Sequence, residues 1–331
     1  MPSIIHRDAD CDRSAAVPPS ISVIVPVLNG AAFVAKAIRS ALSQTRTDLE
    51  VVVVDNGSTD ATWSIVCGMA AQDGRIRAAQ APDQRGAAAA RNVCLALARG
   101  EWIAVLDADD EMHPTRLHRL LDFAAGRGAD LVADNLYLVD GDGNVLRTVW
   151  DAATLPDSVD AAEYILRNLA SWRQPDLGWA KPVFRRRLVD GTGLRYHTGL
   201  RLGEDSQFLF SLLRAGTVLH LLPEPLYCYA QCLGSLAQTW SEDDLRALLE
   251  VNRAEIDAAA ANGRLRAALL RQRDSLQVQL VHFAFVDAVK RGRLDRAVGL
   301  ALGHPPVLPR IAHFGMQSLR KRLPRWRYDW A

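Results

Sequence analysis

Asp107-Ala108-Asp109 offers the sharpest chemistry in the chain. Two carboxylates two positions apart, at the end of an apolar strand-like run, can face one cleft. Hard divalent cations such as Mg2+ and Mn2+ take oxygen ligands, and Mg2+ needs only one or two protein carboxylates when phosphate oxygens complete its shell. Such a cation would offset the charge of a diphosphate. The same spacing also suits an Asp-rich turn that caps the next helix, a role open to Asp110. Asp55 closes an earlier apolar run and is likewise either a ligand-facing carboxylate or a helix cap. Glu204-Asp205 precedes the apolar segment FLFSLLRAG, where Asp205 is a candidate N-cap.

These residues need elements that bring them to one edge. Residues 21–28 (ISVIVPVL) read as a buried parallel strand, followed by an apolar-periodic helix over about 31–44. Residues 50–54 form a second strand, and Ser58 or Thr59 is placed to cap a helix running to about 71. A weaker strand covers 75–80. An alanine-rich helix over 86–98 is expected to stop at Gly100, and a fourth strand covers 101–106. A helix from about Pro114 comes next. Strand and helix alternating through short connections imply an α/β doubly wound, mostly parallel, Rossmann-like sheet, whose ligands lie beyond the carboxyl ends of the strands. Two of these four strands end in aspartate. Further on, 130–149 reads as two strands about a turn at 141–143, 157–170 as a helix and 175–203 as irregular. Strands are expected at 217–222 and 226–229, and helices with breaks near Gly263 and Gly292 over 241–291.

The 331 residues are 49% apolar and 23% charged, which is globular composition and excludes a disordered or collagen-like chain. Lys+Arg 39 against Asp+Glu 38 leaves a net charge of +1, which argues against nucleic acid as a partner. The five cysteines include no CxxC pair, so neither a disulfide framework nor a zinc site is expected. No signal-peptide core and no apolar run of about 18–20 residues is present, which predicts a cytoplasmic protein.

Pro26 and Asn29 near the end of the first strand, DNGSTD (residues 55–60) after the second, RGAAAARN (85–92) with GEWIAVLDADD (100–110), and GEDSQFLFSLLRAG (203–216) occur in that order. Together they resemble family 2 glycosyltransferases of the GT-A fold, over roughly residues 20–235. The resemblance implies transfer of a sugar from a nucleotide-diphospho-sugar, a UDP-sugar first among them, to a glycan or polyprenyl-diphosphate-linked acceptor in bacterial exopolysaccharide or cell-surface polysaccharide assembly. It implies that Pro26, Asn29, Asp55 and Asn56 hold the nucleotide, that Asp107 meets the ribose, and that Asp109 binds Mn2+ or Mg2+. Arg91 matches an arginine that either meets the nucleotide or pairs with a nearby acid. Asp205 matches the base of an inverting transfer, with Glu204 supporting the acceptor or raising the proton affinity of Asp205.

Three departures mark this chain. Leu28 stands where relatives often carry a tyrosine, Asn56 replaces the second acid of an Asp-Asp pair, and Ala230 stands where an Arg or His is frequent. They keep open a catalytically inactive sugar-nucleotide-binding or scaffold protein as the alternative. The Gln-x-x-Arg-Trp pattern of processive synthases is absent, so one sugar per encounter is expected. Trp172, Trp179 and Tyr196 are candidates for an acceptor pocket or for packing, and His197 and Arg201 for the diphosphate. The expected organisation is a flexible leader (1–19), a GT-A domain (20–235; nucleotide-sugar half about 20–125, acceptor half about 126–235) and a helical C-terminal region (236–331). The last ends in QSLRKRLPRWRYDW, where cations beside aromatics suit an anionic inner-membrane surface or a docked helix.

Overall fold

A strand covered on both faces reads as a near-continuous apolar run. Ile21–Val27 (β1) and Leu49–Asp55 (β2) are buried at every position and form the centre of the sheet. The computed structural model describes residues 5–6, 18–82, 86–169, 176–231 and 240–312. Its contacts divide the chain between Thr239 and Trp240.

In the first unit α1 (Val34–Leu42), α2 (Thr62–Gln72), β3 (Ile76–Gln80), α3 (Ala87–Leu97) and β4 (Trp102–Val105) follow β1 and β2 in right order for a doubly wound sheet. The strands lie β3-β2-β1-β4, all parallel. After α4 (Arg116–Arg127) come the hairpin β5 (Leu131–Val139) and β6 (Val145–Thr148), then α5 (Ala161–Arg167), β7 (Val183–Arg185), α6 (Glu204–Arg214) and β8 (Leu219–Ala230). β7 inserts antiparallel between β4 and β5, and β8 runs parallel to β5. Ile5 and His6 pair antiparallel with the outer edge of β3, an element not expected in the leader.

Several local expectations are corrected. Neither Ser58 nor Thr59 caps α2. Its N-cap is Ala61, and the Asp60 carboxylate takes the Thr62 N–H at 3.0 Å. Gly100 does not end α3, whose C-cap is Ala98. A Cβ at Gly100 would collide with the backbone of Ile21 and Ser22, so glycine there permits β1 and the entry to β4 to approach. Residues 217–222 and 226–229 form one strand, β8, whose register shifts around Pro225. Prolines cannot donate to the ladder, and the chain bulges past them instead of breaking. The segment 175–203 is not wholly irregular: it holds a turn of 3-10 helix (Leu177–Trp179), β7 and a four-residue helix (Arg187–Asp190). Three residues of β7 carry too short a pattern to be read as a strand.

The second unit contains α7 (Glu242–Ala258), α8 (Gly263–Lys290) and α9 (Leu294–Gly303). Ser241 opens α7 through a capping box with Asp244, and the Asn262 side chain caps α8. Leu245, Ile256, Leu265 and Leu269 are buried in this unit, and Asn252 links α7 to α8 through the Leu269 carbonyl at 3.1 Å. Among the described residues no helix is long and apolar enough to cross a membrane. The Gln317–Trp330 segment, Cys232 and Trp172 lie outside the described residues.

Candidate functional site

The carboxyl edge of β1, β2 and β4 carries the predicted residues, and each is fixed by a different local device. Pairing of β1 with β4 stops at Ile24, two residues before Pro26, which has no N–H to continue it. The two strands part there. Asn29 then adopts a left-handed turn (φ 51°), a conformation asparagine tolerates. Its Oδ1 accepts the Thr59 N–H at 2.8 Å, and its N–H donates to Ser58 Oγ at 2.8 Å. Asn29 therefore ties the loop after β1 to the loop after β2.

Asp55 is completely buried at the end of β2. It accepts the Ser58 N–H at 3.0 Å, the Ser58 hydroxyl at 2.5 Å and a Gln80 amide N–H at 3.1 Å. Asn56 donates to the Ala81 carbonyl at 3.1 Å and accepts the Gly86 N–H at 3.0 Å. Both side chains brace the loops that frame the crevice.

The end of β4 is built differently. Asp107 and Asp109 are half-buried, and Asp110 turns inward. Asp110 accepts the Tyr227 hydroxyl at 2.7 Å and the Ala230 N–H at 2.8 Å, which pins the end of β8 beneath the acidic turn. Burial, with Asp107 close by, pushes its carboxyl well above the usual range. Asp110 is thus a tie between strands and not a helix cap.

Asp107 accepts Arg91 at 2.7 Å on Oδ1 and Lys181 at 2.5 Å on Oδ2. Burial disfavours its charge, but the Lys181 ammonium and the Arg91 guanidinium outweigh that and hold the carboxyl well below the usual range. Asp109 has the opposite environment: burial and the neighbouring Asp107 charge both raise it.

Helix α6 brings in the remaining acids. Its N-cap is Gly203 in the left-handed region (φ 82°), so Asp205 is not the cap but the second helical residue. Arg91 reaches Glu204 at 2.9 Å and Asp205 at 3.1 Å, and the Lys181 ammonium lies 3.8 Å from Asp205. Burial, then the Asp205 charge, pushes Glu204 up to about 7 against the opposing pull of Arg91. Asn92, next to Arg91 on α3, exchanges hydrogen bonds of 2.9 and 2.8 Å with the Tyr196 backbone. The Tyr196 ring stacks on Phe208 of α6 with centroids 3.9 Å apart. Tyr196 is therefore a packing residue that docks α6 against α3, while His197 and Arg201 are exposed. The half-buried Trp179 pairs with Tyr229 at 5.0 Å between centroids.

Lys181 is the main residue that reading the sequence missed. Its one faint signal is scarcity: only four of 39 cationic residues are lysines. It stands two residues before Val183, whose partner in β4 is Ala104, so the antiparallel run of β7 places it at the carboxyl end of β4.

For a divalent cation the fit is specific. Both Asp107 oxygens face protein cations, which leaves Asp109 as the carboxylate at this edge for a metal ion. Among the described residues no group of three or more His, Cys, Asp or Glu gathers as a metal cage. One carboxylate suits a cation whose other ligands are phosphate oxygens and water, and it does not suit a resident ion held by protein alone.

Residues 22–190 match the family model for glycosyl transferase family 2. The chain belongs to that family. Similar curated proteins include two from Rhizobium meliloti (strain 1021). Succinoglycan biosynthesis protein ExoO is 33% identical over 310 residues, covering 93% of this chain and 88% of the relative. Succinoglycan biosynthesis protein ExoU is 32% identical, covering 90% and 87%. The fold is that of GT-A glycosyltransferases. S. aureus TarS 1-349, solved with UDP-GlcNAc, superposes with a TM-score of 0.62 at 19% identity, over 85% of this chain and 90% of that one. The mannosyltransferase PcManGT from Pyrobaculum calidifontis, solved with GDP-Man and Mn2+, gives 0.55 at 22% identity, over 92% and 85%. Within this family 2 chain, residues from α3, the β4 turn, the segment before β7 and the start of α6 converge on one charged cluster, although Arg91 and Asp205 are far apart in sequence.

Proposed function

We propose that this family 2 protein is an inverting glycosyltransferase that moves one sugar from a nucleotide-diphospho-sugar to a glycan or lipid-linked glycan during bacterial exopolysaccharide assembly. One observation carries the reading. Arg91 contacts Asp107 at 2.7 Å and Asp205 at 3.1 Å, so the strand-end acid and the helix-start acid lie within the width of a single sugar-bearing cleft. The relatives ExoO and ExoU, named for succinoglycan biosynthesis, support the pathway class.

The nucleotide lies in the crevice between β1 and β4, framed by the Asn29–Ser58 and Asn56–Gly86 loop ties. Asp107 faces the ribose. A divalent cation held by Asp109 would offset the charge of the donor diphosphate. Asp205 takes the proton of the acceptor hydroxyl as that oxygen forms its bond to the anomeric carbon and the bond to the diphosphate breaks. Glu204, pushed up to about 7 by burial and by the Asp205 charge, sits beside that acid as its hydrogen-bonding partner on Arg91.

A thermal-shift screen of nucleotide sugars with and without Mn2+ tests this reading, because ligand-bound stability rises with affinity. The expected result is a shift for one class of nucleoside diphosphate sugars that grows with Mn2+ and loses the Mn2+ increment in Asp109→Ala. No shift with any nucleotide sugar overturns it. We also assign the C-terminal region to an anionic membrane surface. Its basic aromatic end follows α9, where Leu294, Val298 and Leu302 are exposed four residues apart. Deleting residues 309–331 should lower co-sedimentation with anionic vesicles, and unchanged partition removes the assignment.

A further inference from the structure

We propose that Lys181 holds the terminal phosphate of the donor diphosphate, so that the chain supplies a protein cation to the leaving group in addition to any metal ion. The proposal rests on the reading of this site as a nucleotide-diphospho-sugar site.

An ammonium carries three N–H donors. At Lys181 one is taken at hydrogen-bond distance, by Asp107 Oδ2 at 2.5 Å, while Asp205 Oδ2 lies at 3.8 Å. Arg91 is committed differently: one terminal nitrogen faces Glu204 and Asp205, and the other faces Asp107. Lys181 is therefore a cation of this cluster with donors left for a ligand; Arg91 also keeps its Nε–H, which is closed off inside the protein. The carboxylates of Asp107, Asp109 and Asp205 already outnumber Arg91 and Lys181 before any ligand enters. A diphosphate would add further negative charge, and a compact ammonium beside the cleft lowers that cost where the local dielectric is low.

The fold holds the backbone of Lys181 in a costly way. Arg116 and Asp134 are both fully buried and paired through contacts of 2.8 to 3.1 Å. A second donor from Arg116 goes to the Lys181 carbonyl at 2.6 Å. The next carbonyl, of Pro182, accepts the Val105 N–H at 3.3 Å at the end of β4. Two charges removed from water carry a large desolvation penalty. Here their geometry fixes residues 181–182 against the strand end from which Asp107 and Asp109 project. On the other side the Lys181 ammonium lies 5.7 Å from the centre of the Tyr229 ring, which limits its swing toward solvent.

In the transfer step the acceptor oxygen bonds to the anomeric carbon, and the carbon–oxygen bond to the diphosphate breaks. The electron pair of that bond stays on the departing phosphate oxygen, and the acceptor proton goes to Asp205. Lys181 donates a hydrogen bond to the terminal phosphate as its charge grows, which is stabilisation where the transition state needs it.

The test compares nucleoside diphosphate with nucleoside monophosphate by calorimetry, using the pairs UDP/UMP and GDP/GMP on the full chain. In Lys181→Met the diphosphate affinity should fall at least tenfold while monophosphate affinity stays within twofold, so the preference for the second phosphate collapses. A wild-type preference that survives in Lys181→Met overturns the proposal. Lys181→Gln, which keeps a hydrogen bond for Asp107, must show the same collapse. If neither variant folds, Lys181 is a structural counter-ion and the proposal is overturned. Wild-type protein that binds none of the four nucleotides fails the nucleotide-sugar reading itself, which is a different result.

Discussion

Two strand ends carry aspartates at the same edge of one sheet, and they do opposite things. At the end of β2, Asp55 is fully buried and accepts three hydrogen bonds from Ser58 and Gln80. At the end of β4, Asp107 is half-exposed and faces two cations that also reach Asp205. A carboxylate held by neutral donors from its own loop and from the neighbouring strand end braces that loop. A carboxylate balanced by long cationic side chains from other elements is a junction, because those side chains can redistribute their donors when an anion arrives. Residue type does not separate the two cases; the identity of the partners does.

The largest test of the contrast is at the junction. Asp205→Asn should lower turnover by about 10²- to 10⁴-fold, the range for loss of a positioned proton acceptor. Nucleotide binding should stay within twofold, since the nucleotide edge is built from other elements. Wild-type turnover in the variant would remove Asp205 from the chemistry.

At the brace the effect should fall on stability. Asp55→Ala leaves the Ser58 N–H and the Gln80 amide without their acceptor, at a cost of about 1–3 kcal/mol. Urea unfolding should show the loss, with turnover at a permissive temperature within a few-fold of wild type. An unchanged unfolding midpoint together with abolished nucleotide binding would break the brace assignment and return Asp55 to the ligand.

An effect of similar size, confined to one pH window, comes from Glu204. Glu204 is pushed from 4.5 to about 7 in the folded protein, so folding favours its neutral form. The stability it contributes is present in full below about pH 4.5 and is lost as pH rises through about 7. Glu204→Gln cannot ionise and removes this dependence. Relative to wild type, the variant should gain stability between pH 4.5 and 8, on the order of 1–3 kcal/mol. Parallel stability curves for the two proteins would show that Glu204 does not titrate in this window.

The contrast extends to the second unit. Among its described residues, ion pairs such as Arg246–Glu242 and Arg291–Asp287, four residues apart, lie on helix surfaces. Such exposed pairs contribute little. In the first unit Arg91, Arg116 and Lys181 are all buried; Arg116 is paired with a fully buried Asp134, and breaking such a pair is expensive.

Sequence pattern alone determined the parallel half of the sheet, because strands buried on both faces read as unbroken apolar runs. It also placed acids at the strand ends, where the apolar runs stop. The order of Pro26, DNGSTD, LDADD and GEDSQF carried the family. Tertiary structure decided the rest. β7 is three residues long and has no periodicity to read, yet its antiparallel insertion beside β4 is what delivers Lys181. Gly203, not Asp205, caps α6, and that two-residue difference puts Asp205 inside the first turn, where it meets Arg91. Asp55 and Asp107 became brace and junction only when Ser58, Gln80, Arg91 and Lys181 were brought to them. Local pattern reports what a residue does to its own segment, whereas the partners of a buried charge come from distant segments, and desolvation forces the fold to supply them.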